Sequence, residues 1–587
     1  MRDLALHPPT AATAPRARVR LGAGWLALPG VVFLLAFLLY PSAELLLTSL
    51  KHPQTGAWSL AAFAKVFAGG VYTRSLQTTF SVAAQTTLCC LLLGYPLAYW
   101  LARLPARRQR LAALWVMVPF WTSALVKNFA WMVFLGRTGV VNDVLAALGL
   151  QPGELLFSRA TVVFSMVHTM LPLAVVVMLP IMNRIERTLL NAADTLGAGA
   201  AQRFWRIYLP LSMPGVAAAG LLVFVSSLGF FIAPTLLGNS RDALLSQLII
   251  VQINQLQNWQ MGAAISLMLV VAALVSCFVY DRTFGLTTLA GDSASSRRRP
   301  GRLRRLGLGL VARLGDGFER LGHLPGLRRC GVLLPAYAWL LLALLVVPIL
   351  AFVPMAFTAS SFLSFPPQGL SLKWFAEYFS SPLWLGATLR SFGIGLAVAL
   401  FTTPVAVLAA LGLARGQSRW GGLAFLLFML PMIIPPIVIS VSLFYLFADL
   451  GLIASNLGII IGHTVIALPM AFVVMLATFK HYDWRLDQAA ATLGAAPWRV
   501  FGRITLPLIK AGALTAMVTA FLQSFEELTV AMFVGGGLKT TLPKQMWDSI
   551  LLQVTPTLAA ASVVVLLVVC ALFSLSELLR PTPKQAS

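Results

Sequence analysis

The stretch NAADTLGAGAAQRFWRIYLPLSMPG at residues 191–215 has a close counterpart, QAAATLGAAPWRVFGRITLPLIKAG, at residues 488–512. Subtracting 197 from 494, the positions of the shared LG glycine, gives an offset of 297. The same offset pairs identical residues at Ala192, Ala193, Leu196, Phe204, Arg206, Ile207, Leu209 and Pro210. A motif that returns at one fixed offset indicates an internal duplication, so the sequence predicts two related halves.

The composition around these stretches is that of a membrane protein. Of the 587 residues, 59% are hydrophobic and only 11% are charged, against roughly 25% charged in soluble domains. The net charge of +24 comes from Arg and Lys that fall mostly between alternate apolar runs. Positive residues in this arrangement set topology by staying in the cytosol, which argues against a nucleic-acid-binding protein. The five Cys and six His show no metal-ligand spacing, so we expect buried thiols and no metal site.

Apolar windows of about 20 residues, the length that crosses a bilayer, occur six times in each half. The predicted spans are 23–50, 76–102, 111–135, 160–183, 211–236 and 260–281, then 332–357, 384–413, 421–448, 457–479, 508–534 and 556–579. An even count in each half makes the repeats parallel. We therefore predict an all-α integral membrane protein with about 12 transmembrane helices, an uncleaved first span and both termini in the cytosol.

The domain boundaries follow from these spans. We predict a cytosolic segment 1–22, a first half 23–281, a basic cytosolic linker 282–330 containing SSRRRPGRLRRLG, a second half 331–580 and a tail 581–587. Under this topology the repeated loops, 186–210 and 483–507, are cytosolic, each between the fourth and fifth spans of its half.

Each loop is predicted to form two helices joined by a turn. Ala192 and Ala193 open a short helix with a shallow surface, and Gly197 ends it in the left-handed conformation. Phe204 belongs to an apolar face of the second helix, and Pro210 marks where the next span begins at a new angle.

The paired alanines, the glycine four residues later and the Ile-x-Leu-Pro ten residues beyond it resemble the cytosolic EAA loop of binding-protein-dependent ABC importer permeases. The stretches NFAWMVFLGRTGVVN (128–142) and LPMIIPPIVISVSLF (430–444) resemble the first and second permease subunits of spermidine/putrescine-type importers, respectively. The resemblance extends over nearly the whole chain and implies a type I permease fold in which two subunits are fused. It departs from the family at Asn191 and Gln488, where relatives carry the Glu that names the loop.

The resemblance implies partners and a set of coupling residues. It implies two copies of an ABC ATPase subunit, a periplasmic binding protein and a location in the bacterial inner membrane, with no nucleic acid. The chain itself binds no cofactor; ATP and Mg belong to the ATPase, and no Lys follows a Gly, so a phosphate-binding loop is absent from the sequence. The ATPase-coupling residues would be Asn191, Ala192, Ala193, Gly197, Phe204, Arg206, Leu209 and Pro210, with Gln488, Ala489, Ala490, Gly494, Phe501, Arg503, Leu506 and Pro507 in the second loop.

The fifth spans carry the candidate substrate path. The offset sets Gly229-Phe230 against Glu526-Glu527, and carboxyl groups within a membrane usually face an interior or a watery cavity. We expect Glu526 or Glu527, with Phe230, Phe231 and Trp131, to line a transient site for a cationic amine. In the alternative interpretation the carboxylates pair with Lys127 or Arg390. His168 and His463 are predicted to be polar packing residues.

The predicted function is that of a transport subunit and not an enzyme, because no catalytic constellation is apparent. A polyamine or related cationic amine is the expected substrate, with an amino acid, an aminophosphonate or a ferric chelate as alternatives. An ion-coupled secondary transporter would also have six-plus-six symmetry but would need an ion site in the bundle. A membrane scaffold would explain the loops but not the acidic fifth span.

Overall fold

The computed structural model describes residues 23–52, 55–151, 153–284, 330–363, 365–416, 420–537 and 539–578. The predicted segment 1–22, nearly all of the linker 282–330 and the tail 581–587 lie outside these ranges. Within them the chain is helical, and β-structure is confined to two isolated bridges. The predicted all-α class is confirmed.

Twelve helices make up the described part of the first half. They are α1 (Gly24–Thr48), α2 (Ala61–Ala68), α3 (Gly70–Arg103), α4 (Ala106–Trp121), α5 (Ala124–Phe134), α6 (Val140–Ala147), α7 (Arg159–Asn183), α8 (Arg187–Thr195), α9 (Ala200–Leu228), α10 (Ile232–Leu237), α11 (Leu245–Ile250) and α12 (Trp259–Phe284).

The second half repeats this order without a counterpart of α6 among its described residues, and it has an additional one-turn helix at Phe352–Met355. Its helices are α13 (Cys330–Leu350), α14 (Lys373–Ser380), α15 (Pro382–Arg415), α16 (Gly421–Ile433), α17 (Pro436–Asp449), α18 (Asn456–Lys480), α19 (Arg485–Thr492), α20 (Pro497–Phe525), α21 (Thr529–Val534), α22 (Leu542–Leu552) and α23 (Pro556–Leu578).

Membrane-spanning helices account for most of these elements. Nine helices in the described ranges are long and apolar enough to cross a membrane, and two further crossings result if each bent helix pair counts as one span. A shorter apolar helix, Pro556–Leu572, lies where the twelfth span is predicted. The arrangement agrees with two repeats of six spans.

The third span of each half, predicted at 111–135 and 421–448, is a pair of helices with a sharp bend between them. Helices α4 and α5 meet at 87°, and α16 and α17 meet at 99°. In the second half Pro435 forces Ile434 out of the helical region, to φ −75° and ψ 126°. In the first half Thr122 and Ser123 are extended, and the Ser123 side chain accepts a hydrogen bond from the Leu125 N–H, which starts α5 afresh.

The fifth spans begin and end earlier than predicted. Each starts within the repeated loop, at Ala200 in α9 and at Pro497 in α20, and continues through Pro210 and Pro507. These prolines do not turn the chain to a new angle, because each lies at the start of a segment whose preceding turn is a wider π-helix. Both spans stop before the predicted 236 and 534, leaving α10 and α21 as separate short helices.

Each half is organised around the same three spans. In the first half α3, α7 and α9 pack together, and in the second half α15, α18 and α20 do so. Small residues permit close approach, as at Gly94, where an added Cβ would lie 3.4 Å from the Met178 methyl group.

The first span of each half packs against the other half. Helix α1 lies on α15, α16 and α17, with Phe33 against Phe401 at 5.6 Å between ring centroids and the Ser42 hydroxyl 3.5 Å from that of Ser442. Helix α13 lies on α3, α4 and α5, and the Tyr337 hydroxyl donates a 2.7 Å hydrogen bond to the Leu93 carbonyl. The two halves therefore form one interlocked bundle.

Candidate functional site

The two repeated loops form matching helical hairpins. Helices α8 and α19 each end at a glycine in the left-handed region, with φ of 81° at Gly197 and 80° at Gly494. An added Cβ at either glycine would meet nothing within 4 Å, so the backbone conformation alone requires glycine there. Ala192 and Ala193 lie near the end of α8 and do not open it, contrary to the prediction, because the helix already begins at Arg187.

Each hairpin presents an exposed leucine at its tip. Leu196 is 88% exposed and its counterpart Leu493 is 87% exposed. Asn191 and Gln488, the amides at the position of the family's Glu, are also exposed. An apolar side chain held in solvent at the same place in both repeats is typical of a surface that enters a groove on a partner.

The remaining predicted coupling residues divide between the hairpin surface and the bundle. The exposed ones are Ala192, Arg206, Ala489, Arg503, Leu506 and Pro507. The buried or partly buried ones are Ala193, Phe204, Leu209, Pro210, Ala490 and Phe501. The buried group packs towards the bundle, and the exposed group lies on the surface.

A buried carboxylate fixes the second hairpin to the bundle. The Asp487 carboxylate in α19 accepts hydrogen bonds from the Tyr482 hydroxyl at 2.5 Å and the Thr505 hydroxyl at 3.2 Å, and it pairs with the Arg415 guanidinium at the end of α15. The same guanidinium lies 4.8 Å from the centre of the Trp484 ring. Since Asp487 is only 6% exposed, these partners offset the cost of burying its charge.

The first hairpin is held by aromatic packing instead. The Tyr99 ring lies 4.8 Å from that of Tyr208 and 5.3 Å from that of Phe204. Leu190 occupies the position of Asp487. The two hairpins thus share a shape but are attached by different chemistry.

At the middle of the bundle, the end of each fifth span meets the bend of the other half's third span. In one crossing Gly229 touches Pro435 so closely that an added Cβ would lie 2.6 Å from the proline Cβ. In the second half Glu526 occupies the position of Gly229, and Lys127 in α5 of the first half is near enough for the two ionisable groups to influence each other electrostatically. Oε1 of Glu526 is buried and has no hydrogen-bond partner among the described residues.

Glu527, although adjacent, is fully engaged. Its Oε1 accepts a 2.9 Å hydrogen bond from the Thr529 N–H and its Oε2 accepts one of 2.8 Å from the Val530 N–H, so the side chain caps α21. Oε2 also lies 3.3 Å from Nε2 of His463, whose Nδ1 is 2.8 Å from the Ser524 hydroxyl. Of the acidic pair, only Glu526 retains an unused carboxylate oxygen.

Lys127 lies on the first-half side of the same crossing. It is 3% exposed, and its Nζ donates a 2.8 Å hydrogen bond to the Pro119 carbonyl across the bend. Arg390, the other cation considered for the acidic pair, donates instead to the Thr540 carbonyl at 2.9 Å. The alternative interpretation of Glu526 therefore rests on Lys127 alone.

The predicted aromatic residues lie around the crossing but are not equally accessible. Trp131 is buried with its ring 5.4 Å from that of His168, and its indole N–H has no described hydrogen-bond partner. Phe231 is buried with its ring 5.4 Å from that of Trp547 in the second half, whereas Phe230 is half-buried. His168 packs as predicted, with Nε2 3.2 Å from the Leu345 carbonyl.

Sequence reasoning missed the Asp487 cluster. The available signal was an acidic residue, Asp487, at the position where the other repeat has Leu190. Its partner Arg415 is distant in sequence, so the pairing is visible only in the fold. In the described part of the chain, His, Cys, Asp and Glu form no group able to hold a metal ion.

The duplicated architecture and its hairpins coincide with a known family. The model of the family described as binding-protein-dependent transport system inner membrane component matches residues 94–286 and 402–583, once in each half and over more than half of the chain. The chain belongs to this family. It is an ABC importer permease, a multi-pass inner-membrane protein in which two permease units are joined in one polypeptide.

Individual relatives of this permease agree with both its branch and its fusion. The spermidine/putrescine transport system permease protein PotB of Escherichia coli (strain K12) is 35% identical over 233 residues, covering 38% of this chain and 85% of PotB. The probable ABC transporter permease protein y4fN of Sinorhizobium fredii is 26% identical over 583 residues, covering 94% of this chain and 95% of that protein. In the crystal structure of a bacterial alginate ABC transporter in complex with alginate pentasaccharide-bound periplasmic protein, one chain matches 44% of this permease at 21% identity, with a TM-score of 0.40.

Proposed function

We propose that this permease takes a polyamine or related cationic amine from a periplasmic binding protein and passes it to the cytosol by alternating access. The observation that carries the proposal is the unpartnered, buried carboxylate oxygen of Glu526 where the two halves cross. A carboxylate in a low-dielectric site attracts an ammonium group, and the half-buried Phe230 ring adds a cation–π surface. Similarity to PotB supports the same substrate class.

The hairpins would connect this site to ATP hydrolysis. Two copies of a separate ATPase subunit, carrying the ATP and Mg, would each receive one hairpin tip, with Leu196 or Leu493 seated in a groove. Closure of the ATPase dimer would draw the tips together and rock the halves about their interlocked spans. The Gly229–Pro435 and Glu526–Lys127 crossings would then separate and expose the path. Both termini would be cytosolic.

A zwitterionic solute is the second candidate, and Lys127 is the observation that favours it. A buried cation and a buried carboxylate whose charges interact across the crossing match an amino acid or an aminophosphonate better than a dication. Such a solute would place its own carboxylate or phosphonate at Lys127 and its ammonium at Glu526.

Uptake by reconstituted vesicles tests these proposals. The permease, its ATPase and its binding protein are placed in proteoliposomes, and labelled putrescine, spermidine and amino acids are offered with ATP inside. We expect ATP-dependent polyamine uptake that falls at least tenfold in Glu526→Gln, with the binding protein still docking. Amino-acid uptake that is lost in both Lys127→Met and Glu526→Gln would establish the second candidate instead.

The energy source is tested in the same vesicles. Uptake driven by a proton or sodium gradient without ATP would refute the ATPase-coupled mechanism and establish a secondary transporter. Retention of full polyamine uptake in Glu526→Gln would remove the carboxylate from the path while leaving the permease assignment intact.

A further inference from the structure

The first hairpin contains an open basic cavity at the place where the second hairpin holds its buried carboxylate. The repeats provide the comparison. At the offset of 297, Leu190 corresponds to Asp487, and Tyr208 corresponds to Thr505. Arg103 and Arg415 correspond in another way, because each ends the long second span of its half. In the second half the hydroxyl and the guanidinium meet on Asp487. In the first half the Leu190 side chain has no acceptor atom for the corresponding donors, Tyr208 and Arg103.

The cavity has a volume of about 750 Å³ and lies between α3, α8 and α9, with the start of α4 and the end of α7 also lining it. Its walls include Tyr99, Arg103, Arg184, Arg187, Leu190 and Tyr208. Glu186 also lines the cavity, and so does Arg203, which is bound to Asp194 at 2.7 Å. Positive side chains therefore outnumber negative ones around a space much larger than one carboxylate.

The Tyr208 hydroxyl is the second observation that indicates a ligand. The residue is 6% exposed, and its hydroxyl has no hydrogen-bond partner among the described residues, which is costly for a buried polar group. The Arg103 guanidinium is close enough for its charge to act on this phenol, and its described contacts are the Tyr99 hydroxyl at 3.2 Å and the Tyr99 ring. Two donors are thus present without the acceptor that their counterparts share.

The cavity lies behind the hairpin and not at its tip. Ala193 is buried towards the bundle, and Leu190, one turn earlier in α8, is on the same face. The exposed tip residue Leu196 follows the end of the helix. The cavity therefore opens beside the tip, with Asn191 at its edge, and a small anion or a lipid headgroup at the end of α3 can enter it.

We propose that this cavity is an anion site that takes a phosphate group, with Arg103 and Tyr208 as its principal donors. Phosphate fits better than carboxylate because several arginines surround the space and guanidinium groups bind phosphate oxygens in pairs. The occupant fastens α8 to α3 in the way that Asp487 fastens α19 to α15. The position of the first hairpin therefore depends on a bound ligand. Coupling of that half to the ATPase can then be regulated by the ligand, independently of the transported solute.

Thermal unfolding of the full chain in nanodiscs tests the site with two phosphate sources. In phosphatidylcholine discs, inorganic phosphate is titrated against chloride at constant ionic strength; in a second set, phosphatidylglycerol replaces part of the lipid and no phosphate is added. We expect at least one source to raise the midpoint by about 2 °C or more. The source that does so identifies free phosphate or a lipid headgroup as the occupant.

Single substitutions localise the effect. Arg103→Gln and Tyr208→Phe should each weaken the apparent phosphate affinity about tenfold, since each removes one donor. Arg137→Gln, which removes an exposed arginine paired with Glu154, is the matched control and should respond like the wild type. An equal response in all four proteins, or none from either source, would overturn the proposal.

Restoring the missing carboxylate gives an independent test. Leu190→Asp should unfold at a higher temperature than Leu190→Asn and should lose the phosphate response, because its own side chain fills the site. A Leu190→Asp protein that responds to phosphate as the wild type does would contradict the proposal. Stabilisation seen only after the ATPase is added would also contradict it and would assign the cavity to an acidic side chain of that partner.

Discussion

Glu526 and Glu527 are neighbours in sequence with opposite surroundings. Glu527 caps α21 and lies beside His463, so its carboxylate is committed to holding the end of the fifth span. Glu526 faces the other half with an oxygen that nothing in the described structure satisfies. Adjacent residues at a helix end point in different directions, and here that difference separates a structural carboxylate from one available to a solute.

This separation predicts different outcomes for the same substitution. Glu527→Gln should lower the free energy of unfolding by about 1–3 kcal/mol, because an amide has one acceptor oxygen and cannot accept both the Thr529 and the Val530 N–H bonds. Glu526→Gln should change it by less than Glu527→Gln does, because the substitution removes a buried carboxylate whose Oε1 has no hydrogen-bond partner, although it also leaves Lys127 without a counter-charge. Chemical unfolding of both variants in the same detergent tests this prediction. Equal destabilisation would contradict the assignment of a structural role to Glu527 and not to Glu526.

Asp487 sets the strength of the second hairpin's attachment. Asp487→Asn should destabilise the protein by about 1–3 kcal/mol, a range kept low because the partner Arg415 is 35% exposed. Asp194→Asn breaks the exposed pair with Arg203 in the first hairpin and should cost less than about 1 kcal/mol. Limited proteolysis between Arg485 and Arg503 would report the loosening directly. Identical cleavage in the two variants would show that the buried carboxylate does not anchor the hairpin.

At the scale of helices, each hairpin turns at a glycine where an added side chain would have room. Gly197 and Gly494 require glycine for their positive φ and not for room. Gly197→Val should therefore cost about 1–2 kcal/mol and misdirect α8, while Gly197→Asn, which tolerates the left-handed region, should behave nearly as wild type. We expect ATP-driven transport to fall in the valine variant, and a binding assay with the ATPase to show weaker docking. Equal transport by both variants would mean that the turn geometry is not needed.

Sequence periodicity predicted which segments are helices but not where they break. The turn glycines and the repeated hairpins follow from local residue chemistry, so both were predictable. Pro435 offered a signal for the bend at α16, yet Thr122 and Ser123 at the matching bend are unremarkable in an apolar run. Pro210 and Pro507 were wrongly predicted to change the direction of the helix, because a π-helical turn before each proline accommodates it within a continuous span. Contacts between residues distant in sequence, such as Arg415 with Asp487 within the second half and Lys127 with Glu526 between the halves, depend on three-dimensional proximity that one sequence does not contain.

For the whole molecule, the contact of Gly229 with Pro435 sets how closely the halves meet. Gly229→Val would place a methyl-bearing carbon 2.6 Å from a rigid ring and should force the crossing apart. We expect transport to fall at least tenfold while ATP hydrolysis continues, because the path can no longer close. Gly393→Val, where an added Cβ would meet nothing within 4 Å, is the control within another span. Coupled transport in Gly229→Val would show that the two halves separate here without consequence.

The crossed first spans bear on how the protein is made. Helix α1 inserts early, but the surfaces it covers on α15 and α17 are translated only after the rest of the first half and the linker. Until those helices are made, α1 lies in the membrane without the surfaces on α15 and α17 that it packs against. A polypeptide that carries both halves guarantees that the partner arrives in equal number and at high local concentration. Fusion thus gives this permease a fixed one-to-one stoichiometry that separately encoded subunits must reach by encounter.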